Sequence, residues 1–198
     1  KRAIEYDMPM LKLDKCYIGG QWVAPAPGAS SHDIVDPASE QVIGTIAMGS
    51  TQDVDAAVAA ARAAFPAWSQ TSRETRLALL GRMAELYQAR YGDMAAAIGT
   101  ELGAPAWLAK DYQALIGIAH LKAVNETLRG FEFETQQGPT RVIREAIGVA
   151  GLITAWNWPA GLVCYKTAAA LAVSCTVVLD HSEVSPLDAM LAAEIIHE

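Results

Sequence analysis

GVAGLITAWNWPAGLVCYKTAAALAVSCTVVLDHSE, residues 148–183, is the stretch whose reading decides the fold. Val149 to Thr154 is an apolar run of the kind a buried parallel strand requires. Ala155-Trp156-Asn157-Trp158-Pro159 interrupts it. Pro159 is suited to the first turn of a helix, where its fixed φ fits and its missing N–H has no partner to lose. The small residues that follow, through Ala172, have helical length, and Cys175 to Leu179 is a second short β-branched strand. Strand, helix and strand over this distance form a βαβ crossover, and ligands of such sheets gather at the carboxyl ends of the strands. Those ends carry Trp156 and Asn157 after the first strand and Asp180, Ser182 and Glu183 after the second.

The totals exclude several function classes. The 198 residues are 52% hydrophobic, enough for a real core and too apolar for a disordered chain. A net charge of −7 argues against a nucleic-acid partner, which requires clustered Lys and Arg. Cys16, Cys164 and Cys175 make neither a metal spacing nor an even disulfide framework, which fits a reducing cytoplasm. Ala146 to Tyr165 is long enough to span a bilayer without a charge. Pro159 and Asn157 near its middle, its glycines and its unbiased flanks argue against a membrane.

Outward from the crossover, Cys16–Val23 predicts a hairpin around Gly19-Gly20, and Asp33–Pro37 with Gln41–Ile46 a second antiparallel pair. Residues 1–15 read as a tag or flexible leader, with Met8 or Met10 as the native start. Ser50-Thr-Gln-Asp53 and Thr71-Ser-Arg-Glu74 read as capping boxes. Helices are expected over 52–65, ended by Pro66, and over 73–90, 93–102, 105–129, 159–172 and 185–197. Their expected core stripes are Val54, Val58, Ala61 and Phe65; Leu80, Met83 and Tyr87; Met94, Ala97, Ile98 and Leu102; Leu108, Tyr112, Leu115, Ile116 and Ala119; and Leu187, Leu191, Ile195 and Ile196. Ser185 reads as the side-chain cap of the last helix. Residues 131–147 turn strand-like, with Thr140–Arg144 alternating.

Trp156-Asn157-Trp158-Pro159, Lys166, the Ala-rich helix and Ser182-Glu183 resemble, in type and spacing, the NAD(P)-dependent aldehyde dehydrogenase superfamily. Ala155 is shared with its betaine-aldehyde-type members. The resemblance runs from about Tyr17 to the last residue. It implies an α/β fold: an incomplete doubly wound, Rossmann-like sheet with antiparallel edge strands at the amino terminus. Residues 16–130 and 148–198 would form part of a cofactor-binding domain. Residues 131–147 would be an extended arm used in contacts between copies of the chain, making a homo-oligomer. The implied activity is oxidation of an aldehyde to a carboxylic acid.

The resemblance also implies site residues. Asn157 matches an oxyanion donor, although the residues alone favour its completing the turn before Pro159. Lys166 matches a charge-relay Lys, or is an amphipathic Lys of the helix. Ile153, Thr154, Ala155 and Trp156 match positions lying along NAD, and Glu183 matches the carboxylate that accepts from the adenosine ribose. Asp180 and Ser182 belong to the same loop. There is no Gly-x-Gly-x-x-Gly after the strand, and the family lacks that fingerprint too.

Departures from the family pattern bear on these roles. Asp180-His181 replaces Lys-Pro, Ala169 replaces a Pro, and Ala146 stands where Pro follows Arg-Glu. A carboxylate at 180 in place of Lys favours NAD over NADP, whose 2′-phosphate it would repel. The family's nucleophilic Cys and general-base Glu lie beyond residue 198, so the catalytic domain and an aldehyde partner are expected only in a longer protein. Two readings follow: the amino-terminal part of an aldehyde dehydrogenase, or a truncated non-catalytic relative serving as a nucleotide-binding or interaction module.

Overall fold

The computed structural model describes residues 10–198. The leader expected over residues 1–15, with Met8, lies outside the described residues up to residue 9. Beyond it the expectation is corrected: Leu11–Leu13 forms strand β1, parallel to β5 (Gln41–Ala47), which in turn pairs antiparallel with β4 (Ser31–Asp36). Gly44 admits β1 to this sheet, because a Cβ there would stand 2.6 Å from the Leu11 carbonyl oxygen. Strands β2 (Cys16–Ile18) and β3 (Gln21–Val23) make the expected hairpin, turning at Gly19 and Gly20 with φ of 60° and 77°.

Helix α1 runs Thr51–Ser69 and passes through Pro66 instead of stopping there. Only one backbone hydrogen bond is forfeited so close to the end, and Ser69 Oγ and Thr71 Oγ1 donate to the Pro66 and Trp68 carbonyls of the last turn. Its capping box is present: Ser50 Oγ accepts from Asp53 N, and Asp53 accepts from Ser50 N at 2.8 Å. Asp53 also accepts from Ala26 N at 2.8 Å, and these bonds hold its carboxyl below the usual carboxylate range. Val54, expected in the core, is 52% exposed.

Helix α2 (Arg73–Ala89) is capped by Ser72, which accepts from Thr75 N at 3.1 Å, so the cap lies one residue later than the Thr71–Glu74 pattern predicts. Helix α3 (Tyr91–Leu102) ends at Gly103 in the left-handed conformation. The expected helix over 105–129 is three segments in series: α4 (Ala106–Leu108), a π-helical turn (Ala109–Ala114) and α5 (Leu115–Gly130). The extra residue of a π turn rotates everything that follows it. The buried face is therefore Ala109, Gln113, Ala114, Gly117, Ile118 and Leu121, while Tyr112 and Leu115 of the expected stripe are 55% and 49% exposed.

Tyr87, Met94, Ile98 and Leu121 are each at most 1% exposed and form the centre of the core with Cys164 and Ala168. Residues 131–147 leave this body as the hairpin β6 (Glu134–Gln137) and β7 (Thr140–Ile143), crossed by a Glu134–Arg141 ion pair. The crossover then forms as the sequence predicts. Strand β8 (Val149–Ile153) lies parallel to β9 (Thr176–Asp180), with Val149 opposite Thr176 and Ile153 opposite Asp180. Helix α6 (Pro159–Ala172) connects them, and α1 and α6 pack on the pair. Helix α7 (Pro186–His197) closes the described chain against α3 and α6.

Helix α5 is approached closely by α6 and by α2 at glycines. A Cβ on Gly161 would meet Ile116 Cγ2 at 2.8 Å, and one on Gly117 would meet Tyr87 Cζ at 2.9 Å. Tyr87 Oη donates to the Ala114 carbonyl at 2.8 Å, so Gly117→Ala must move a ring held at both ends. Overpacking of this kind costs about 1–3 kcal/mol. Urea unfolding should register that loss, and a change below about 0.5 kcal/mol would show that the ring yields freely.

Candidate functional site

The carboxyl ends of β8 and β9 meet as a pair. Ile153 and Asp180 are in register, and Thr154 N donates to the Asp180 carbonyl at 3.0 Å. Thr154 is buried at 5% exposure, so the strand-like course ends on an anchored residue. Beyond it the chain turns outward. Ala155, Trp156 and Asn157 are exposed, and Trp156 and Ile153 stand 53% and 74% free of neighbours. Pro159 is again buried and opens α6 at its first position. The loop between Thr154 and Pro159 is thus an exposed arch on two buried footings.

Two side chains hold this arch. Lys166 Nζ, on α6, donates to the Ile153 carbonyl where β8 ends. Gln113 Nε2, from the π-helical turn, donates to the Asn157 carbonyl at 3.2 Å. Asn157 therefore has its main chain engaged and its side chain on the exposed edge. Its uncharged amide N–H₂ can donate to a developing oxyanion without a proton change.

On the neighbouring strand end, Asp180 and Glu183 are exposed carboxylates. Ser182 builds the turn between them: its Oγ accepts from Val184 N at 3.2 Å and its carbonyl faces His181 Nδ1 at 3.0 Å. No hydrogen bond among the described residues joins Ser182 or Glu183 to the Trp156–Asn157 loop. The edge offers acceptor-only groups for hydroxyls and apolar surface for a planar ring, a combination that fits the adenosine end of NAD(P). A cleft of about 580 Å³ lies elsewhere, near the start of β9, lined by Arg76, Phe133, Arg144 and Ser174. It has no part in this edge.

Helix α7, which follows the Glu183 loop, is capped from another element. Ser185 occupies the N-cap position but makes no capping bond, contrary to expectation. The Glu101 carboxylate, at the end of α3, instead accepts from Leu187 N at 2.6 Å and Asp188 N at 3.2 Å. Two acceptor oxygens from α3 serve two orphan amides at once, which one Ser hydroxyl does not. Asp188 is fully buried, its carboxyl oxygens accept from no donor group, and they face the Glu101 carboxyl closely enough to share a proton with it. Burial raises both carboxyls, Glu101 to about 7 and Asp188 well above its ordinary value, the latter also through the neighbouring Glu101 charge.

Neither Cys164 nor Cys16 is activated. Cys164 is fully buried, and burial followed by the nearby Asp188 pushes it up. Burial raises Cys16 as well, and Cys175 is 3% exposed. All three are free. No group of three or more metal-ligating side chains occurs among the described residues.

The family's sequence profile, described as the aldehyde dehydrogenase family, matches residues 22–198. The chain belongs to the aldehyde dehydrogenase family. A 3-succinoylsemialdehyde-pyridine dehydrogenase of a Pseudomonas species is 45% identical over 183 residues, which cover 92% of this chain and 38% of that protein. Among solved structures, an aldehyde dehydrogenase from Bartonella henselae superposes with a TM-score of 0.92 at 38% identity, covering 95% of this chain and 40% of the other. Aldehyde dehydrogenase C from Pseudomonas syringae, solved with NAD+ and octanal, gives 0.90 at 45% identity, covering 93% and 38%. The chain thus spans about two fifths of the length of the curated relatives it matches. The Trp-Asn loop and the Ser182-Glu183 turn follow the paired ends of β8 and β9, and Lys166 reaches the end of β8 from α6.

Gln113 and the Glu101–Asp188 pair are absent from that implied set. A signal for Gln113 exists: it is the polar residue on the small-residue face Ala109, Ala114 and Gly117.

Proposed function

We propose that this chain is the cofactor-binding, amino-terminal portion of an enzyme that oxidises an aldehyde to a carboxylic acid with NAD. One observation carries the reading: the parallel pairing of β8 and β9 sets the Trp156-Asn157 loop and the Asp180–Glu183 loop side by side at one carboxyl edge. Glu183 and Asp180 accept from the adenosine ribose hydroxyls, and Ile153, Thr154, Ala155 and Trp156 lie along the cofactor. Asn157 gives one oxyanion donor, and Lys166 fixes the end of β8 with its positive charge close by. When bound, NAD supplies the hydride acceptor. The 3-succinoylsemialdehyde-pyridine dehydrogenase and the octanal complex point to an aldehyde on a long or ring-bearing apolar chain. The β6–β7 hairpin serves as the arm between copies of the chain, and the three free cysteines fit the cytoplasm. Among the described residues no helix is long and apolar enough to cross a membrane.

Asp180 supplies the test. A 2′-phosphate next to an exposed carboxylate meets like charge, whereas a ribose hydroxyl donates to it. Asp180→Lys should strengthen NADP binding more than NAD binding, by about 1–3 kcal/mol, the scale of one charge-assisted hydrogen bond. Titration calorimetry on both proteins reads the difference. Wild-type preference for NADP, or an indifferent variant, would remove Asp180 from the ribose. Asp180 also favours a second reading, a nucleotide-binding module without catalysis, and binding of NAD without turnover in any longer form of the protein would select it.

A further inference from the structure

The π-helical turn at Ala109–Ala114 interrupts an otherwise ordinary helix, and such turns are frequent at functional positions because they redirect one side chain. Here the redirected side chain is Gln113, 6% exposed on a face of alanines and glycine where an apolar residue would pack more simply. Its Nε2 donates to the Asn157 carbonyl at 3.2 Å, while its Oε1 is buried without a protein partner. A buried amide left half-satisfied is a cost that packing alone does not explain. The arch it reaches is held at its other end by Lys166 on the Ile153 carbonyl and by Thr154 N on the Asp180 carbonyl. Ala155, Trp156 and Asn157, between these footings, are exposed and must be ordered against conformational entropy.

We propose that Gln113 is a positioning residue for Asn157: the π turn delivers its amide to the Asn157 carbonyl, and this fixes where the Asn157 side chain stands. The inference rests on Asn157 being the oxyanion donor. An oxyanion donor works only when held where charge develops, so the group that sets its main chain governs it without touching substrate. The requirement is for a donor at position 113. A carboxyl there donates when protonated and repels the carbonyl when ionised.

The experiment is site-resolved amide hydrogen exchange on the chain carrying Gln113→Met, of matching length without a donor, and Gln113→Glu. In the Met variant, exchange at Thr154 and Leu162, whose amides are bonded at the two footings of the arch, should rise about tenfold while the interiors of α5 and α6 keep wild-type protection. In the Glu variant, protection should match wild type at about pH 5 and fall to the Met level at about pH 8, because burial raises a carboxyl into that interval. Unchanged exchange at Thr154 and Leu162 in the Met variant overturns the proposal. So does a rise spread equally through α5 and α6, which would mark Gln113 as a packing residue, or a Glu variant without pH dependence. Should the Met variant fail to fold, the two pH values of the Glu variant decide alone. Failure of NAD to bind the chain would count against the cofactor reading and leave the exchange result standing.

Discussion

A polypeptide of these 198 residues is expected to produce NADH no faster with an aldehyde than without one. Oxidising an aldehyde to an acid requires a thiolate that adds to the carbonyl, donors for the resulting oxyanion and a base for hydrolysis. Of the thiols present, Cys164 and Cys175 are 0% and 3% exposed, and burial drives Cys164 away from the thiolate form. Cys16 is raised too, by burial and then by Asp53. Asn157 supplies one donor, and such a donor is worth on the order of 10²–10³ in rate. The thiolate addition it would assist has no nucleophile among these residues, so the rate should fall to the uncatalysed one. The measurement follows NADH absorbance with octanal and with an aromatic aldehyde, on protein whose intact mass has been confirmed. Activity that survives this check and disappears in Cys164→Ala or Cys175→Ala would give a buried thiol a role that its surroundings do not support.

The crossover was legible in the sequence because several independent signals agree there. β-branched runs, Pro159 at a helix start and a small-residue helix all give the same boundaries, and the structure pairs Val149–Ile153 with Thr176–Asp180 accordingly. The stripe on the 105–129 helix was not legible. A period of 3.6 residues places Tyr112 and Leu115 inside, and one π turn carries them out. That turn is sensed through tertiary partners, Tyr87 on the Ala114 carbonyl and Gln113 on the Asn157 carbonyl, which no local pattern encodes. The cap of α7 fails for a similar reason. Ser185 has the right type and place, but Glu101, 86 residues earlier than Leu187, reaches the amides first. The loop residues proposed for the site rest on their family spacing. The side chains that support them come from distant positions, and only the fold brings them together.

Asp188→Asn is expected to stabilise the chain increasingly as pH rises. Two carboxyls share the space between the end of α3 and the start of α7, with Glu101 hydrogen-bonded to two amides and Asp188 unpartnered. The amides and the helix N-terminus favour charge on Glu101, so the proton of the pair resides on Asp188. Both folded-state values are raised above their ordinary ones. A raised carboxyl keeps its proton in the folded chain while the unfolded chain has already lost it, so stability is greatest at low pH and falls as pH increases. For Asp188, which holds the proton, the window opens at its ordinary 3.8 and runs up through its raised folded-state value. One proton held only by the folded chain costs about 1.4 kcal/mol for each whole step in pH inside that window. The groups facing the pair, Tyr87 and Cys164, are themselves raised by burial and stay neutral throughout, so they do not offset it. Asparagine keeps the shape of Asp188, cannot ionise and can donate to Glu101. The variant's advantage over wild type should therefore grow by about 1–3 kcal/mol between pH 5 and pH 8 in urea unfolding. Carboxyls such as Asp53, whose values are lowered, give stability the opposite slope, but they are common to both proteins and cancel in the difference. A difference flat to within about 0.5 kcal/mol from pH 5 to pH 8 would mean that the two carboxyls do not compete for one proton.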